Sequence, residues 1–258
     1  MTWRTLQEHE AMYLPYFQDD YRRRSLEAMV ERFVTGRTVL EMRCINGHLT
    51  VALAKRGFEV KALDGYKPAV EITNRRARDN GIGRDLAMEW DFQDLRAPAG
   101  TAQYDTILCL DTLNHAPDDS DVMRQIVEAM KDGGRLVISA PAHPSLHGKR
   151  DDALGHLRRY SRKQMETLLT RHGLEVVMIR PWNFLALPAY ILIEKILRRR
   201  VSEGLRLARA GRLGGNLPNQ ALRWWYTVIE NRLWFPCGLS WIVIARKGTK
   251  GAGNGAAV

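Results

Sequence analysis

The sequence predicts an α/β domain with a doubly wound parallel sheet. Short apolar segments typical of buried strands alternate with amphipathic stretches typical of helices over most of the 258 residues. Acidic residues directly follow several of the apolar segments, at the sheet edge where this class of fold binds ligands. A long stretch, residues 183–239, interrupts the alternation before a last apolar segment, so we expect an insertion there.

The elements predicted in the first part of the chain, taken in order, support this fold class. Residues 1–35 are predicted to be helical, since "SLEAMVERF" has apolar residues at helical spacing and Ser25 is a suitable N-cap. The following elements are predicted from apolar runs and glycine or proline boundaries: strand 38–43, a helix closed by Gly57, strand 58–64, a helix over 68–81 and strand 86–92.

The second part continues the alternation and then changes. The predicted elements are strand 104–111, a helix over 120–134 with a glycine stop, strand 135–142, a helix over 160–173, strand 174–182 and a last strand at 240–247. We therefore expect a core formed by residues 36–182 and 240–247. The composition of residues 248–258 is typical of a disordered tail.

Composition narrows the function classes. Hydrophobic residues make up 45% of the chain, enough for a substantial core, and three scattered cysteines favour a reducing, cytoplasmic setting over a disulfide framework. No N-terminal signal is visible. The net charge of +10 favours a polyanion or an acidic membrane surface, and it is equally typical of a solvated arginine-rich surface.

The order of strand ends resembles the class I S-adenosylmethionine-dependent methyltransferases. The stretches "VLEMRCINGHLT", "VKALD", "WDFQD" and "YDTILCLDTLNHAPD" are similar to the successive motifs of that family, and the resemblance covers residues 36–247. It implies a Rossmann-like seven-stranded methyltransferase sheet with a helical cap made by the insertion before the last strand. It also implies S-adenosylmethionine as cofactor and S-adenosylhomocysteine as product.

The resemblance also implies where the cofactor is held. Glu41 matches the acid near the methionine amino end, Asp64 the acid on the ribose, and Asp91 the acid on the adenine amine. Carboxylates accept such hydroxyl and amine donors well, and an apolar neighbour gives the adenine a packing face. The full set of cofactor-binding candidates is Glu41, Arg43, Gly47, Asp64, Gly65, Asp91, Phe92 and Asp111.

The turn after the first strand departs from the family pattern. Arg43 and Ile45 stand where the family has glycine, and we expect Ile45 to exclude one usual turn geometry because β-branched residues disfavour positive φ. Arg43 places a cation where the cofactor normally lies, which is unfavourable to the cationic sulfonium unless Glu41 pairs with Arg43. If the turn is only remodelled, Glu41 should lie within reach of Arg43 or of the cofactor's amine, and the Asn46–Gly47 peptide should supply the bend. Two interpretations stay open: a remodelled turn that still binds cofactor, or a fold that serves another purpose.

A second segment, "PAHPSLHGKRDDALGHLRRYSRKQ", is similar to one in bacterial methyltransferase-like proteins of glycolipid and natural-product pathways. We take His156 as the leading catalytic base, His115 as the second, and Tyr160 as a further catalytic candidate. Predicted substrate-binding residues are His143, Arg158, Arg159 and Trp182. In the alternative interpretation, His156 caps a loop, the arginines pair with Asp151 and Asp152, and Tyr160 packs in the core. The histidine spacing fits no metal site.

The insertion begins with "FLALPAYILIEKIL", residues 184–197, followed by three arginines. This stretch is too short to span a bilayer. It suits a lid over an apolar acceptor, a helix on the inner membrane surface, or a core or homodimer helix. The expected partner is accordingly a small-molecule or lipid-linked acceptor, with peripheral membrane contact and a homodimer as further predictions.

The leading functional hypothesis is methyl transfer to an O or N atom of a small, partly apolar or lipid-linked biosynthetic metabolite. One alternative is an enzyme of the same fold that catalyses a cyclisation or rearrangement in natural-product biosynthesis, and another is a non-catalytic binding protein. Nucleic acid is disfavoured as a substrate, since the chain lacks the Asn/Asp-Pro-Pro-aromatic sequence used beside flipped bases.

Overall fold

The computed structural model describes residues 21–90, 94–95, 100–197, 221–222 and 224–249. Its described part contains one seven-stranded sheet in the order β3-β2-β1-β4-β5-β7-β6, in which β1 to β5 run parallel and β7 is antiparallel to both neighbours. The strands are β1 Thr38–Met42, β2 Glu59–Asp64, β3 Ala87–Glu89, β4 Tyr104–Leu110, β5 Met130–Pro141, β6 Leu174–Trp182 and β7 Ser240–Lys247. The predicted fold class is confirmed.

Helices cover both faces of the sheet and connect the parallel strands. They are α1 Tyr21–Val30, α2 His48–Lys55, α3 Lys67–Asp79, α4 Asp119–Ala129, α5 Lys149–Ala153, α6 Arg162–Arg171 and α7 Ala186–Tyr190. Short 3₁₀ turns lie at Glu31–Phe33, Leu113–His115 and Pro144–Leu146, and π-helical turns at Ile191–Ile196 and Trp225–Glu230. Ser161 caps α6 in a reciprocal pair with Gln164, as its sequence favours.

The central strands are apolar on both sides because the sheet has a core on each face. Leu40 and Ile107 lie in one cluster of fully buried side chains, whereas Val39 and Leu108, one residue away on the same strands, lie in the other. Burying a side chain of this size contributes about 1.5–3 kcal/mol. The two cores therefore fix the strand register, and with it the edge at which the polar residues meet.

Several predicted boundaries are wrong for identifiable reasons. Ser25 is not an N-cap: it lies inside α1, fully buried, and its carbonyl and hydroxyl oxygens accept from the amide of Asn231. Helix α4 ends at Ala129 because Met130 turns to an extended conformation and pairs with Tyr104. Residues 1–20 and the tail from residue 250 lie outside the described residues.

The described part of the insertion lies beside the segment that follows β5. The Tyr190 hydroxyl oxygen lies 3.0 Å from the Leu146 carbonyl oxygen, and Lys195 Nζ donates to the carbonyl oxygen of His147 at 2.6 Å. Leu187 packs with Tyr190 and Leu239. None of the helices among the described residues is both long enough and apolar enough to cross a membrane. The domain boundaries, the partners and the cellular location stay predictions.

Candidate active site

The turn after β1 keeps a left-handed backbone at three alternating positions. Arg43, Ile45 and Gly47 have φ angles of 66°, 55° and 70°. The prediction that Ile45 excludes this geometry is wrong, whereas the predicted bend at Gly47 is confirmed. A β-branched residue with positive φ is strained by about 1–3 kcal/mol, so the surrounding structure must determine the conformation.

Backbone hydrogen bonds to β2 hold the strained turn. The N–H groups of Arg43 and Cys44 donate to the Leu63 carbonyl oxygen at 2.6 and 3.2 Å. The Ile45 N–H donates to Asp64 Oδ2 at 2.9 Å, and the Ile45 side chain is buried. Three donors thus fix the turn to the end of β2, which compensates for the missing glycines.

Asp64 lies at the end of β2 and is only 1% exposed. Its Oδ2 accepts from Ile45, and its Oδ1 accepts from the N–H of Tyr66 at 3.0 Å. Burial raises the pKa of Asp64, against the lowering effect of the Ile45 N–H and of the charge of Arg43. The carboxylate therefore has fewer stabilising partners than its burial requires.

Glu41, at the end of β1, is fully buried and turns away from Arg43. Its Oε2 accepts from the Thr50 hydroxyl at 2.5 Å, and its Oε1 lies 3.9 Å from Arg23 Nη2. Burial raises the pKa of Glu41 to about 8, against the hydrogen bond from Thr50 and the charge of Arg23. Of the two expected positions of Glu41, the pairing with Arg43 is wrong, since Thr50 and Arg23 are its partners. Its position at the cofactor's amine stays a prediction.

Arg43 instead crosses to the end of β4. Its Nη1 donates to the Asp111 carbonyl oxygen at 2.7 Å and lies 2.6 Å from His115 Nε2. His115 Nδ1 lies 3.0 Å from the Gly155 carbonyl oxygen, so Nδ1 carries the proton and Nε2 accepts from the guanidinium. Burial lowers the pKa of His115 well below its usual value, and the charge of Arg43 adds to this. Both ring nitrogens are engaged, which removes His115 as a base.

The other predicted cofactor contacts lie around this edge. The Asp111 carboxylate accepts from the Ser139 hydroxyl at 2.8 Å and is half-buried. Gly65 follows β2 and is also half-buried. Asp91 and Phe92 lie outside the described residues, so their assigned roles stay predictions.

His156 comes close to the same edge from the segment after β5. Its ring lies 4.9 Å from that of His115, edge to face. Its Nδ1 lies 2.9 Å from Asp151 Oδ1, and its side chain is 13% exposed. Burial lowers the pKa of His156 below its usual value, although the hydrogen bond and the charge of Asp151 raise it, and this favours the neutral imidazole. A neutral imidazole that keeps one nitrogen open suits a general base.

Three predicted site roles, two in this segment and one at the end of β6, are corrected. Tyr160 is buried, and its hydroxyl donates to Asp119 Oδ2 at 2.8 Å, with burial raising its pKa far above the usual value, so it is not a catalytic group. Arg159 is buried against Asp151, with Nε 2.9 Å from Oδ2, rather than available to a substrate. Trp182 is fully buried and donates to Asn231 Oδ1, so it belongs to the core.

The remaining two substrate-binding candidates stay predictions. Arg158 is half-buried, donates to the Pro117 carbonyl oxygen at 2.7 Å and lies 3.3 Å from Asp119. His143 has a φ of 60°, lies two residues after the end of β5, and its ring lies 5.8 Å from the ring of Trp241. Both flank the edge without entering the contacts between His115 and His156.

Sequence reasoning missed Asp151 as the partner of His156 and Tyr190 as a third contact of that carboxylate. The available signal was the spacing of five residues between Asp151 and His156, with Gly148 three residues before Asp151 and Gly155 directly before His156. Asn114 was also missed: it is fully buried, and in the described part of the chain its Oδ1 and Nδ2 make no hydrogen bond. Nothing in its local sequence marks it.

Comparison with known proteins places these observations in a family. Residues 16–179 match the model of a methyltransferase domain. The ubiquinone biosynthesis O-methyltransferase of Aeromonas salmonicida strain A449 is 30% identical over 104 residues, which cover 40% of this chain and 43% of that protein. The matched stretch is thus less than half of the relative's length.

Solved structures show the same fold at low identity. A geranyl diphosphate methyltransferase in complex with GPP and sinefungin has a TM-score of 0.60 and 14% identity, covering 87% of this chain and 78% of that chain. The 4+2 cyclase SpnF has a TM-score of 0.57 and 18% identity, covering 88% of this chain and 81% of that chain. Each of these shows the fold and leaves the substrate open.

Proposed function

This chain belongs to the methyltransferase domain family, and we propose that it transfers a methyl group to an oxygen or nitrogen atom of a small, partly apolar or lipid-linked biosynthetic metabolite. The observation that carries the proposal is the position of His156. Its ring lies against His115 at the edge formed by the ends of β1 and β4, and burial lowers the pKa of its imidazole. S-adenosylmethionine is the cofactor of this family.

The residues at the nucleoside end fit that cofactor. A carboxylate offers about four acceptor positions, and the two loop N–H groups on Asp64 occupy two of them, which leaves capacity for two ribose hydroxyls. A Cβ at Gly47 would lie 2.7 Å from the Thr73 side chain, so only glycine permits the turn to pack this closely on α3. The unpaired buried amide of Asn114 supports a polar ligand nearby.

The residues expected around the amino-acid end of the cofactor also fit it, and Arg43 is their one departure from the family pattern. The guanidinium of Arg43 attracts a carboxylate and repels a sulfonium, whereas glycine at this position would do neither. Arg43, Asp111 and Asn114 are the residues that would hold this end. We therefore assign Arg43 to the carboxylate of the cofactor's amino-acid part, a gain in binding that its repulsion of the sulfonium offsets.

The cofactor, when bound, would supply an electrophilic methyl group attached to a sulfonium. The rest of the cofactor is then the leaving group, a neutral thioether. The protein's task is to orient the acceptor and to receive its proton. His156 Nε2 is the group for the second task, because it makes no hydrogen bond among the described residues. After transfer, the 13% exposed side chain returns the proton to solvent.

Two observations support a partly apolar acceptor from a biosynthetic pathway. Helix α7 packs Leu187 and Tyr190 beside the segment that carries His156, and Leu192 and Ile196 on the following turn are exposed. The curated relative is named for O-methylation in ubiquinone biosynthesis, which supports an oxygen acceptor. Its share of matched sequence leaves the acceptor itself a proposal.

A second candidate function is a cyclisation or rearrangement without methyl transfer. The observation that favours it is the buried guanidinium of Arg43 between Asp111 and His115, a donor group that could polarise a substrate carbonyl. The structural likeness to a cyclase of the same fold is compatible with this candidate.

Radiolabelled cofactor separates the two candidates. The purified chain and His156→Gln are incubated with methyl-labelled S-adenosylmethionine and a panel of apolar-tailed phenols, carboxylic acids and amines. We expect label in an O- or N-methylated product with the native chain and at least a hundredfold less with His156→Gln, the usual scale for a general base. Binding of S-adenosylhomocysteine without label transfer to any acceptor would favour the second candidate.

A further inference from the structure

Asp151 is the carboxylate on which the segment after β5 converges. It is only 1% exposed. Its Oδ1 lies 2.9 Å from His156 Nδ1. Its Oδ2 accepts from Arg159 Nε at 2.9 Å, from the Gly148 N–H at 3.0 Å and from the Tyr190 hydroxyl at 3.1 Å. Four donors surround one buried carboxylate.

This arrangement fixes the protonation of the imidazole beside it. The ionised carboxylate can only accept, so His156 Nδ1 must carry the ring proton. The lone pair of the neutral ring is then on Nε2, the nitrogen without a hydrogen bond in the described part of the chain. A carboxylate that orients an imidazole in this way selects the tautomer that can act as a base.

The position of Asp151 links two parts of the site. On one side, His156 lies against His115, which accepts from Arg43 in the turn after β1. On the other side, Tyr190 belongs to α7 of the insertion, 39 residues further along the chain. Asp151 therefore joins the base to the element that flanks the acceptor side.

We propose that Asp151 is a positioning residue, which holds His156 in the Nδ1–H tautomer with Nε2 open to the acceptor. The inference rests on the proposed function in so far as it assigns His156 as the base. Asp151 does not touch the reacting atoms.

Burial lowers the pKa of His156, and four groups, each from a different element or turn, face the ring and also set its titration. Asp151 raises its pKa through the hydrogen bond and its charge, Asp111 raises it from the end of β4, and Arg43 lowers it from the turn after β1. His115, from the 3₁₀ turn Leu113–His115, contacts the ring. Removing the charge of Asp151 alone should consequently lower the pKa of His156.

Nitrogen-15 NMR of the histidine side chains tests the proposal on the full chain. The His156 signals are identified by their loss in His156→Gln. We expect the Nδ1–H tautomer in the native protein, and in Asp151→Asn a mixture of tautomers with a lower titration midpoint. Tyr190→Phe is the matched control: it removes one donor to Asp151 and keeps the carboxylate on His156, so the tautomer should not change.

The proposal is overturned by an Nε2–H tautomer in the native protein, a result that does not depend on any variant folding. It is also overturned if Asp151→Asn, folded by circular dichroism, keeps the native tautomer and midpoint. S-adenosylhomocysteine binding, measured on the same samples, reports on the proposed function separately. Native binding in Asp151→Asn with an altered tautomer supports the positioning role, whereas absence of binding in the native chain contradicts the proposed function and leaves the tautomer result intact.

Discussion

Asp64 and Asp151 are equally buried, at 1% exposure each, yet their pKa values move in opposite directions. Burial alone would raise both. At Asp151, the hydrogen bond from His156 and the charge of Arg159 outweigh burial, and the pKa lies well below the usual value. At Asp64, two backbone N–H groups and the more distant charge of Arg43 do not suffice.

The segment after β5 and the turn after β1 therefore differ in how fully a buried carboxylate is stabilised. The segment after β5 satisfies its carboxylate internally, as a group that orients a neighbour should be satisfied. The region around the turn after β1 leaves Asp64 short of donors and leaves Glu41 with a pKa of about 8. Hydroxyl donors of a bound ligand would supply what Asp64 lacks, as the proposed ribose contact requires.

Glu41→Gln should produce the largest effect, a change in how the free energy of unfolding depends on pH. An unfolded glutamate has a pKa near about 4.3, so between about pH 4.3 and 8 the folded protein binds more protons than the unfolded one. The free energy of unfolding of the native chain should therefore fall by about 1.4 kcal/mol per pH unit in this range, relative to Glu41→Gln.

Urea unfolding at pH 5, 6.5 and 8 measures this difference. Glu71→Gln, on the exposed side of α3, is the control and should follow the native curve. Parallel curves for the native chain and Glu41→Gln would mean that Glu41 is charged in the folded protein, and the contrast with Asp151 would then lose one of its two supports.

Asp64→Ala should weaken cofactor binding by about 1.5–3 kcal/mol, which is roughly ten- to a hundredfold in affinity. The physical reason is the loss of a charged acceptor for the ribose hydroxyls, together with the anchor of the Ile45 N–H. Titration calorimetry with S-adenosylhomocysteine measures it, with Asp79→Ala at the exposed end of α3 as control. Native affinity in Asp64→Ala would move the nucleoside elsewhere.

Arg43→Gly should have a smaller effect on cofactor affinity, a several-fold rise or no change, because a cation leaves the neighbourhood of the sulfonium while a carboxylate partner is lost. The pKa of His115 should rise, since Arg43 contributes to lowering it. Histidine NMR and calorimetry measure both quantities, with exposed Arg75→Ala as control. Raised affinity with loss of all product would favour the non-methylating candidate.

Ile45→Gly should change stability least, because two terms nearly cancel. Relief of the positive φ contributes about 1–3 kcal/mol, and the loss of a buried side chain removes about 1.5–3 kcal/mol. We expect the free energy of unfolding to change by less than about 1 kcal/mol. Thermal and urea unfolding test this, and a loss of several kcal/mol would show that the turn carries little strain.

Local sequence patterns were sufficient to predict the strands of the sheet, but not the contacts between residues of the candidate site. The runs "VLEM" and "SWIVIARK" are apolar because both faces of the sheet are covered, and that property is visible in the sequence itself. The partners of Arg43 and Asp151 are different in kind. Arg43 meets His115 across 72 positions and Asp151 meets Tyr190 across 39, distances at which no local pattern operates.

The strained backbone at Ile45 could not be predicted from the local sequence either. Propensity correctly disfavours positive φ for Ile45, and the hydrogen bond from its N–H to Asp64 overrides that preference. Likewise, Tyr160 and Trp182 have the residue types of a binding site, and only the packing shows that both are buried with internal partners.

The central claim is that the turn after β1 still binds the family's cofactor in spite of Arg43 and Ile45. Titration calorimetry of the native chain with S-adenosylmethionine and with S-adenosylhomocysteine tests it most directly. We predict binding of both at one site per chain, with the affinity reduced in Asp64→Ala. Absence of binding of either compound at millimolar concentration, on a folded sample, would contradict the claim.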